Sequence, residues 1–186
     1  MTLPPTPSQT VGPFFGYALP FEGGSELVPA VHPQAIRLHG LVLDGAGEPV
    51  PDALVELWQP DAAGTVPQVP GSRRRSLGRF TGFGRCATEQ DGAYEFSTVL
   101  PGPIAEHGPR WALVTVFARG LAHHLFTRAY FVGAGEEAPA DALLERVGDR
   151  AATLHARQDG PASYRFDVRL QGEDETVFLD YPGAGA

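Results

Sequence analysis

Short stretches in which apolar and polar residues alternate recur along the chain from residue 36 to residue 181. Such alternation is typical of half-buried β-strands, because successive side chains of a strand point to opposite faces. It predicts eight short strands, at residues 36–43, 53–58, 84–88, 93–99, 111–118, 125–132, 163–170 and 175–181. Glycine-containing turns separate the first two strands, the third and fourth, and the last two, so each of these pairs is predicted to form a hairpin.

Helical periodicity occurs only at about residues 139–154. Pro139 and Asp141 suit a helix start, and Gly148 is expected to interrupt the helix. Apolar residues recur there at spacings of three and four, at Leu143, Leu144, Val147, Ala151 and Leu154. With no helical crossovers between the strands, the pattern predicts a mainly β fold, an antiparallel β-sandwich or barrel with short helical segments.

Residues 1–33 differ from the rest of the chain. Prolines interrupt any regular pairing, and aromatic residues form a cluster too apolar to be left in water. The prolines are at positions 4, 5, 7, 13, 20, 29 and 33, and the aromatic residues are Phe14, Phe15, Tyr17 and Phe21. We therefore expect an extended N-terminal arm, residues 1–33, that packs either on its own core or on a partner, followed by one domain, residues 34–186.

Composition excludes several classes of protein. Gly 23 and Pro 18 among 186 residues favour many turns over long helices, and 42% hydrophobic residues suffice for one core. The formal charge of -8 disfavours sequence-independent binding to nucleic acid or anionic lipid. The single cysteine excludes an internal disulfide framework, and neither a secretory signal nor a membrane-spanning run is found. These features lead us to expect a cytoplasmic protein.

Candidate catalytic groups are sparse. The six histidines lack the spacing that places two imidazoles on one strand face, so surface histidines are expected rather than a metal site; they are His32, His39, His107, His123, His124 and His155. Cys86 lies within an apolar strand and is expected to be a buried structural thiol. The Arg73–Arg75 run is expected to be a charged loop. Arg119 ends an apolar strand before a glycine, where it is either an ordinary surface cation or a fork for a carboxylate.

Several sequence strings nevertheless resemble the intradiol ring-cleavage dioxygenases. The resemblance extends from Thr6 to Tyr181. Within the family, the similarity is most specific to the non-catalytic alpha subunits of members that are built from two kinds of chain. The strings that carry it are TPSQTVGPFF at 6–15, residues 40–64, residues 84–104, FARG at 117–120, FTRAYF at 126–131 and residues 164–181. The resemblance also implies a sandwich with transthyretin-like hairpins.

Catalytic chains of this family hold a non-haem Fe(III) through two tyrosinates and two histidines, a donor set that stabilises the ferric ion. At the matching places this chain has Val66, Ile104 and the stretch Trp111–Leu113. The resemblance therefore implies that this chain has no catalytic residue and binds no metal. It implies that a beta subunit, the partner of this chain, holds the Fe(III).

The same resemblance implies that the chain lines the substrate pocket of the partner's iron site. The residues that match the pocket-lining positions of alpha subunits are Thr10, Gly12, Pro13 and Phe14 of the arm, together with Arg119. The expected reaction is cleavage of 3,4-dihydroxybenzoate by O2, a step in the catabolism of aromatic compounds. The alternative, from a different class, is a stand-alone β-sandwich binding module that kept the scaffold and lost the chemistry.

Overall fold

Nine β-strands occur in the part of the chain described by the computed structural model, which covers residues 15–68, 79–137 and 139–181. Short helices lie at Phe15–Ala18 (α1) and Ala142–Val147 (α2), and a 3-10 helix occupies Gly148–Leu154. The mainly β fold class is confirmed. The strands are β1 (Ala35–Leu43), β2 (Leu54–Trp58), β3 (Phe83–Ala87), β4 (Ala93–Val99), β5 (Trp111–Phe117), β6 (Leu125–Val132), β7 (His155–Gly160), β8 (Ser163–Arg165) and β9 (Val168–Arg169).

The strands form one sheet in the order β3-β2-β5-β6-β7-β8-β1-β4, with β9 also paired to β1. Most pairs are antiparallel, but β1 is parallel to β8 and β9, and β6 is parallel to β7, so the sheet is mixed. The sheet curls so that its two ends face each other, with Gly84 of β3 against Phe96 of β4. The core fills the space between the layers with side chains that are almost fully buried, including Leu38, Val55, Leu57, Phe96, Val114 and Val116.

Two of the predicted hairpins are wrong as pairings, although the strands themselves are present within one residue of the predicted bounds. β1 and β2 do not pair: β1 pairs with β4, and β2 lies between β3 and β5. β3 and β4 likewise belong to opposite ends of the sheet. The turn after β1 closes only one bridge, Leu43 with Pro49, because Pro49 and Pro51 have no N–H to extend a ladder.

The last predicted hairpin is present only in part. Its first strand is divided into β8 and β9, and Thr176 returns to donate its backbone N–H to the carbonyl of Arg169 at 2.9 Å. Beyond that point a single bridge joins Leu179 to Phe126.

The helical segment begins and breaks where the sequence indicated. Asp141 caps α2 by accepting a hydrogen bond from the Leu143 backbone N–H at 2.8 Å, and Gly148 ends it with a φ of 58°. The chain continues as the 3-10 helix. Strand β7 follows directly and was not predicted, because its sequence HARQDG contains one buried residue, Ala156, and no alternation of apolar side chains.

The described part of the arm packs on its own chain. Phe15 lies against Phe117 with ring centroids 5.4 Å apart, and Phe21 stacks on Phe83 at 6.2 Å. Leu27 is buried, and its backbone N–H donates to the carbonyl of Ser97 at 2.8 Å. Packing of the arm on a partner subunit, and the division into an arm and a domain, stay predictions.

Candidate functional site

Arg119 lies just beyond the end of β5, on the rim of the sheet, with 67% of its side chain exposed. Its Nε–H donates to the carboxylate of Asp52, whose two oxygens lie 2.9 Å and 2.8 Å from Nε. Asp52 is the more covered partner, with 27% of its side chain exposed. The guanidinium is therefore held at Nε, while its Nη groups make no hydrogen bond within the described part of the chain. This ion pair is compatible with both sequence alternatives, and the role of Arg119 as a fork for a carboxylate stays a prediction.

A groove of about 370 Å³ lies beside Arg119. Its apolar walls include Val50, Leu121 and Leu170, which also pack on the main core. Asp44 lines the groove too, but its Oδ1 already accepts the backbone N–H groups of Ala46 at 2.8 Å and Glu48 at 2.9 Å. Arg119 thus has an apolar surface on one side and its carboxylate partner, Asp52, on the other.

The first described residues of the arm, Phe15 and Gly16, lie near the same rim. Phe15 packs on Phe117, two residues before Arg119. A β-carbon added to the next residue, Gly16, would lie 4.0 Å from the carbonyl oxygen of Asp52. The structure therefore brings the chain directly after Phe14 into the neighbourhood of Arg119.

The other predicted pocket residues, Thr10, Gly12, Pro13 and Phe14, lie outside the described residues, as does the Arg73–Arg75 run. Sequence reasoning missed Asp52. It is 67 residues from Arg119 along the chain, and no spacing rule links the two.

The positions that match the iron ligands of catalytic chains carry side chains that do not fit an iron centre. Val66 is 52% exposed and Ile104 is 48% exposed, and neither has a donor atom for a metal ion. In the part of the chain that the structure describes, no three histidine, cysteine, aspartate or glutamate side chains lie close enough together to hold one.

The histidines instead make local contacts. His39 Nε2 lies 2.8 Å from Asp159 Oδ2. A hydrogen bond from Ser163, together with the contact to His39, lowers the pKa of the Asp159 carboxyl.

Burial and the nearby Arg157 lower the pKa of His155, which favours its neutral form. His124 packs edge-on against Phe126, with ring centroids 4.6 Å apart.

Cys86 is half-buried in β3. Burial raises the pKa of its thiol, which therefore stays protonated and weakly nucleophilic at neutral pH. Its Sγ lies 3.2 Å from the carbonyl oxygen of Ala87. This environment agrees with a structural thiol.

Comparison with known proteins gives the class. Residues 29–172 match the dioxygenase family. The chain therefore belongs to the intradiol dioxygenase family. Within it, the chain is 42% identical to the protocatechuate 3,4-dioxygenase alpha chain of Burkholderia cepacia and 37% identical to that of Pseudomonas putida, in both cases over 96% of this chain and 98% of the relative. It is also 33% identical to the beta chain of Burkholderia cepacia, over 77% of this chain and 67% of that one.

Solved structures agree with the family. The dioxygenase domain of a carbohydrate-binding fusion protein from Streptomyces sp. SirexAA-E aligns with a TM-score of 0.56 and 25% identity, covering 91% of this chain and 99% of that one. Catechol 1,2-dioxygenase from Pseudomonas arvilla C-1 shares the fold, with a TM-score of 0.53 over 87% of this chain and 58% of its own. None of the helices in the described ranges is long and apolar enough to cross a membrane.

Proposed function

We propose that this chain is the non-catalytic alpha subunit of a protocatechuate 3,4-dioxygenase and works only together with a beta subunit. The assembled enzyme cleaves 3,4-dihydroxybenzoate between its two hydroxyls and adds both atoms of O2, giving 3-carboxy-cis,cis-muconate. End-to-end similarity to two alpha chains supports this proposal, and similarity to a beta chain supports a partner of the same fold.

The observation that carries the proposal is the meeting of the arm and Arg119 at one rim. Phe15 packs on Phe117, two residues before Arg119, and Gly16 adjoins Asp52. In the proposed enzyme, the residues just before Phe15 that line the partner's pocket are Thr10, Gly12, Pro13 and Phe14. Two stretches far apart in sequence can then line one pocket together.

Arg119 supplies the chemistry that distinguishes the substrate from catechol. With its Nε–H engaged by Asp52, the guanidinium keeps its Nη–H donors for an anion, and most of the side chain is exposed. The carboxylate of 3,4-dihydroxybenzoate can accept these hydrogen bonds, which are stronger than neutral ones because both partners are charged.

The beta subunit is proposed to hold the Fe(III), which would supply the Lewis acidity that the reaction requires. The exposed apolar side chains of Val66 and Ile104 at the matching positions of this chain support that division of labour. The role left to this chain is to shape the pocket wall and to orient the carboxylate end of the substrate.

Arg119→Ala in the assembled enzyme tests the proposed contact. Loss of a charge-assisted hydrogen bond of about 1–3 kcal/mol should raise the KM for 3,4-dihydroxybenzoate by roughly five- to 150-fold. Arg37→Ala is the control, since Arg37 is also an exposed arginine in an ion pair, with 49% of its side chain exposed, but lies within β1. An unchanged KM in Arg119→Ala would remove Arg119 from the pocket.

Size-exclusion chromatography with a tagged beta subunit tests the assembly itself. Co-elution of the two chains is expected. If this chain instead elutes as a monomer and does not bind the beta subunit, that result favours the stand-alone binding module.

A further inference from the structure

Asp52 and Arg119 are unequal partners. The carboxylate is largely covered, with 27% of its side chain exposed, whereas the arginine is 67% exposed. Both carboxylate oxygens lie within 2.9 Å of the same Nε. The better-fixed group is therefore the aspartate, and the arginine is the side chain that is being held.

The backbone on either side of Asp52 is fixed by the buried side chain of Thr88. The Thr88 hydroxyl donates to the carbonyl of Val50 at 2.7 Å and accepts the backbone N–H of Ala53 at 3.0 Å. The Thr88 backbone N–H donates in turn to the carbonyl of Ala53 at 2.9 Å. Pro51, immediately before Asp52, has a fixed φ. Asp52 thus projects from a turn that is fixed on both sides by Thr88, the residue directly after β3.

We propose that Asp52 is a positioning residue for Arg119: it holds the guanidinium at Nε so that the Nη–H groups face the substrate carboxylate. The inference rests on the proposed function. A free arginine side chain populates many rotamers and loses that freedom on binding, and an arginine already held loses less. The negative charge of Asp52 also reduces the net positive charge at the rim, so its benefit lies in geometry rather than in added attraction.

A neighbouring carboxylate provides a matched control. Asp44 lines the same groove, but its Oδ1 is engaged by the backbone N–H groups of Ala46 and Glu48 instead of by Arg119. Asp44→Asn therefore removes an equal charge from the groove without releasing Arg119.

The test measures KM and kcat of the assembled enzyme for 3,4-dihydroxybenzoate, and the binding of catechol as a substrate or competitive inhibitor. Asp52→Asn should raise the KM for 3,4-dihydroxybenzoate about three- to tenfold, the scale of one hydrogen bond, with kcat changed less than about twofold. Catechol has no carboxylate, so its binding should not change. Asp52→Glu should raise the KM less than Asp52→Asn does, and Asp44→Asn, which removes only a negative charge, should not raise it.

Combining Asp52→Asn with Arg119→Ala completes a double-mutant cycle for the two residues. If Asp52 acts through Arg119, Asp52→Asn should have no further effect once Arg119 is gone. Independent, additive effects would overturn the inference, as would equal changes for catechol and 3,4-dihydroxybenzoate or an unchanged KM in Asp52→Asn. Failure of the proposed function is distinguishable, because the wild-type complex itself would then consume no O2, and the inference would fall with it.

Discussion

Arg85 and Glu56 form an ion pair almost withdrawn from solvent, with side chains 13% and 12% exposed. Arg85 Nε lies 2.8 Å from Glu56 Oε1, and Arg85 Nη1 donates to the carbonyl of Leu19 at 2.7 Å. The same guanidinium stands over the rings of Phe21 and Phe83. One arginine of β3 therefore joins β2 to the arm.

Glu56→Gln should destabilise the fold strongly, because it leaves the Arg85 charge buried without its counter-ion. The expected loss is about 3–5 kcal/mol of unfolding free energy, measured as a lower urea midpoint. Glu95→Gln is the matched control, since Glu95 pairs with Arg37 at 2.7 Å in a half-exposed setting and should cost less than about 1 kcal/mol. Equal losses in the two variants would contradict this view of Arg85.

Tyr130 gives the fold a dependence on alkaline pH. Burial, opposed by the hydrogen bond from Arg128 and reinforced by the one to Asp141, raises the pKa of Tyr130 to about 12. Burial also raises the pKa of Tyr94 well above its usual value. In the unfolded chain these hydroxyls lose their protons near pH 10, while the folded chain keeps them. Stability should therefore fall as pH rises from about 10 to about 12.

Tyr130→Phe should flatten this fall, because the variant lacks one of the groups that titrate differently in the two states. The measurement is the urea midpoint at several pH values between 8 and about 11.5 for both proteins. All 14 basic side chains are arginines, so lysine titration does not overlap this range. Parallel curves for the two proteins would show that Tyr130 does not carry the effect.

Gly40 lets β1 pass beside the chain that connects β8 to β9. A β-carbon at this position would lie 1.9 Å from the carbonyl oxygen of Phe166, a backbone atom that cannot move aside alone. The surrounding chain is fixed by the Phe166 N–H, which donates to the carbonyl of His39 at 2.8 Å, and by the Leu41 N–H, which donates to Asp167 Oδ1 at 3.0 Å. A side chain would force the two segments apart.

Gly40→Ala should therefore cost at least about 2–3 kcal/mol of stability. Gly160→Ala provides the control, because a β-carbon there would meet only Ser163 Cβ at 3.5 Å, an ordinary contact, and should cost less than about 1 kcal/mol. Thermal unfolding compares the two, and equal melting temperatures would refute the close approach at Gly40.

Strands could be predicted from the sequence, but most of their partners could not. Alternation is local and located β1 to β6 within one residue. Which strands pair depends on which edges of the sheet are free. After the turn that contains Pro49 and Pro51, β2 lies in the opposite layer, where it pairs with β5 instead of with β1. β7 could not be predicted because it has no apolar face. Backbone pairing alone joins it to β6 and β8.

The candidate site depended on the whole molecule. Spacing left Arg119 undecided between a surface cation and a carboxylate fork, and only the resemblance to alpha subunits singled it out. Asp52 could not be found from the sequence, because its pairing with Arg119 exists only once β2 and β5 lie side by side. In the proposed enzyme the reacting centre lies in the beta subunit, so no pattern in this chain marks it.

Oxygen uptake on addition of 3,4-dihydroxybenzoate is the measurement that tests this division of labour, with this chain, its beta subunit and the co-purified complex assayed separately. We expect uptake by the complex and none by this chain alone, even after loading with ferric iron. Uptake by this chain alone, or no uptake by the complex, would contradict it.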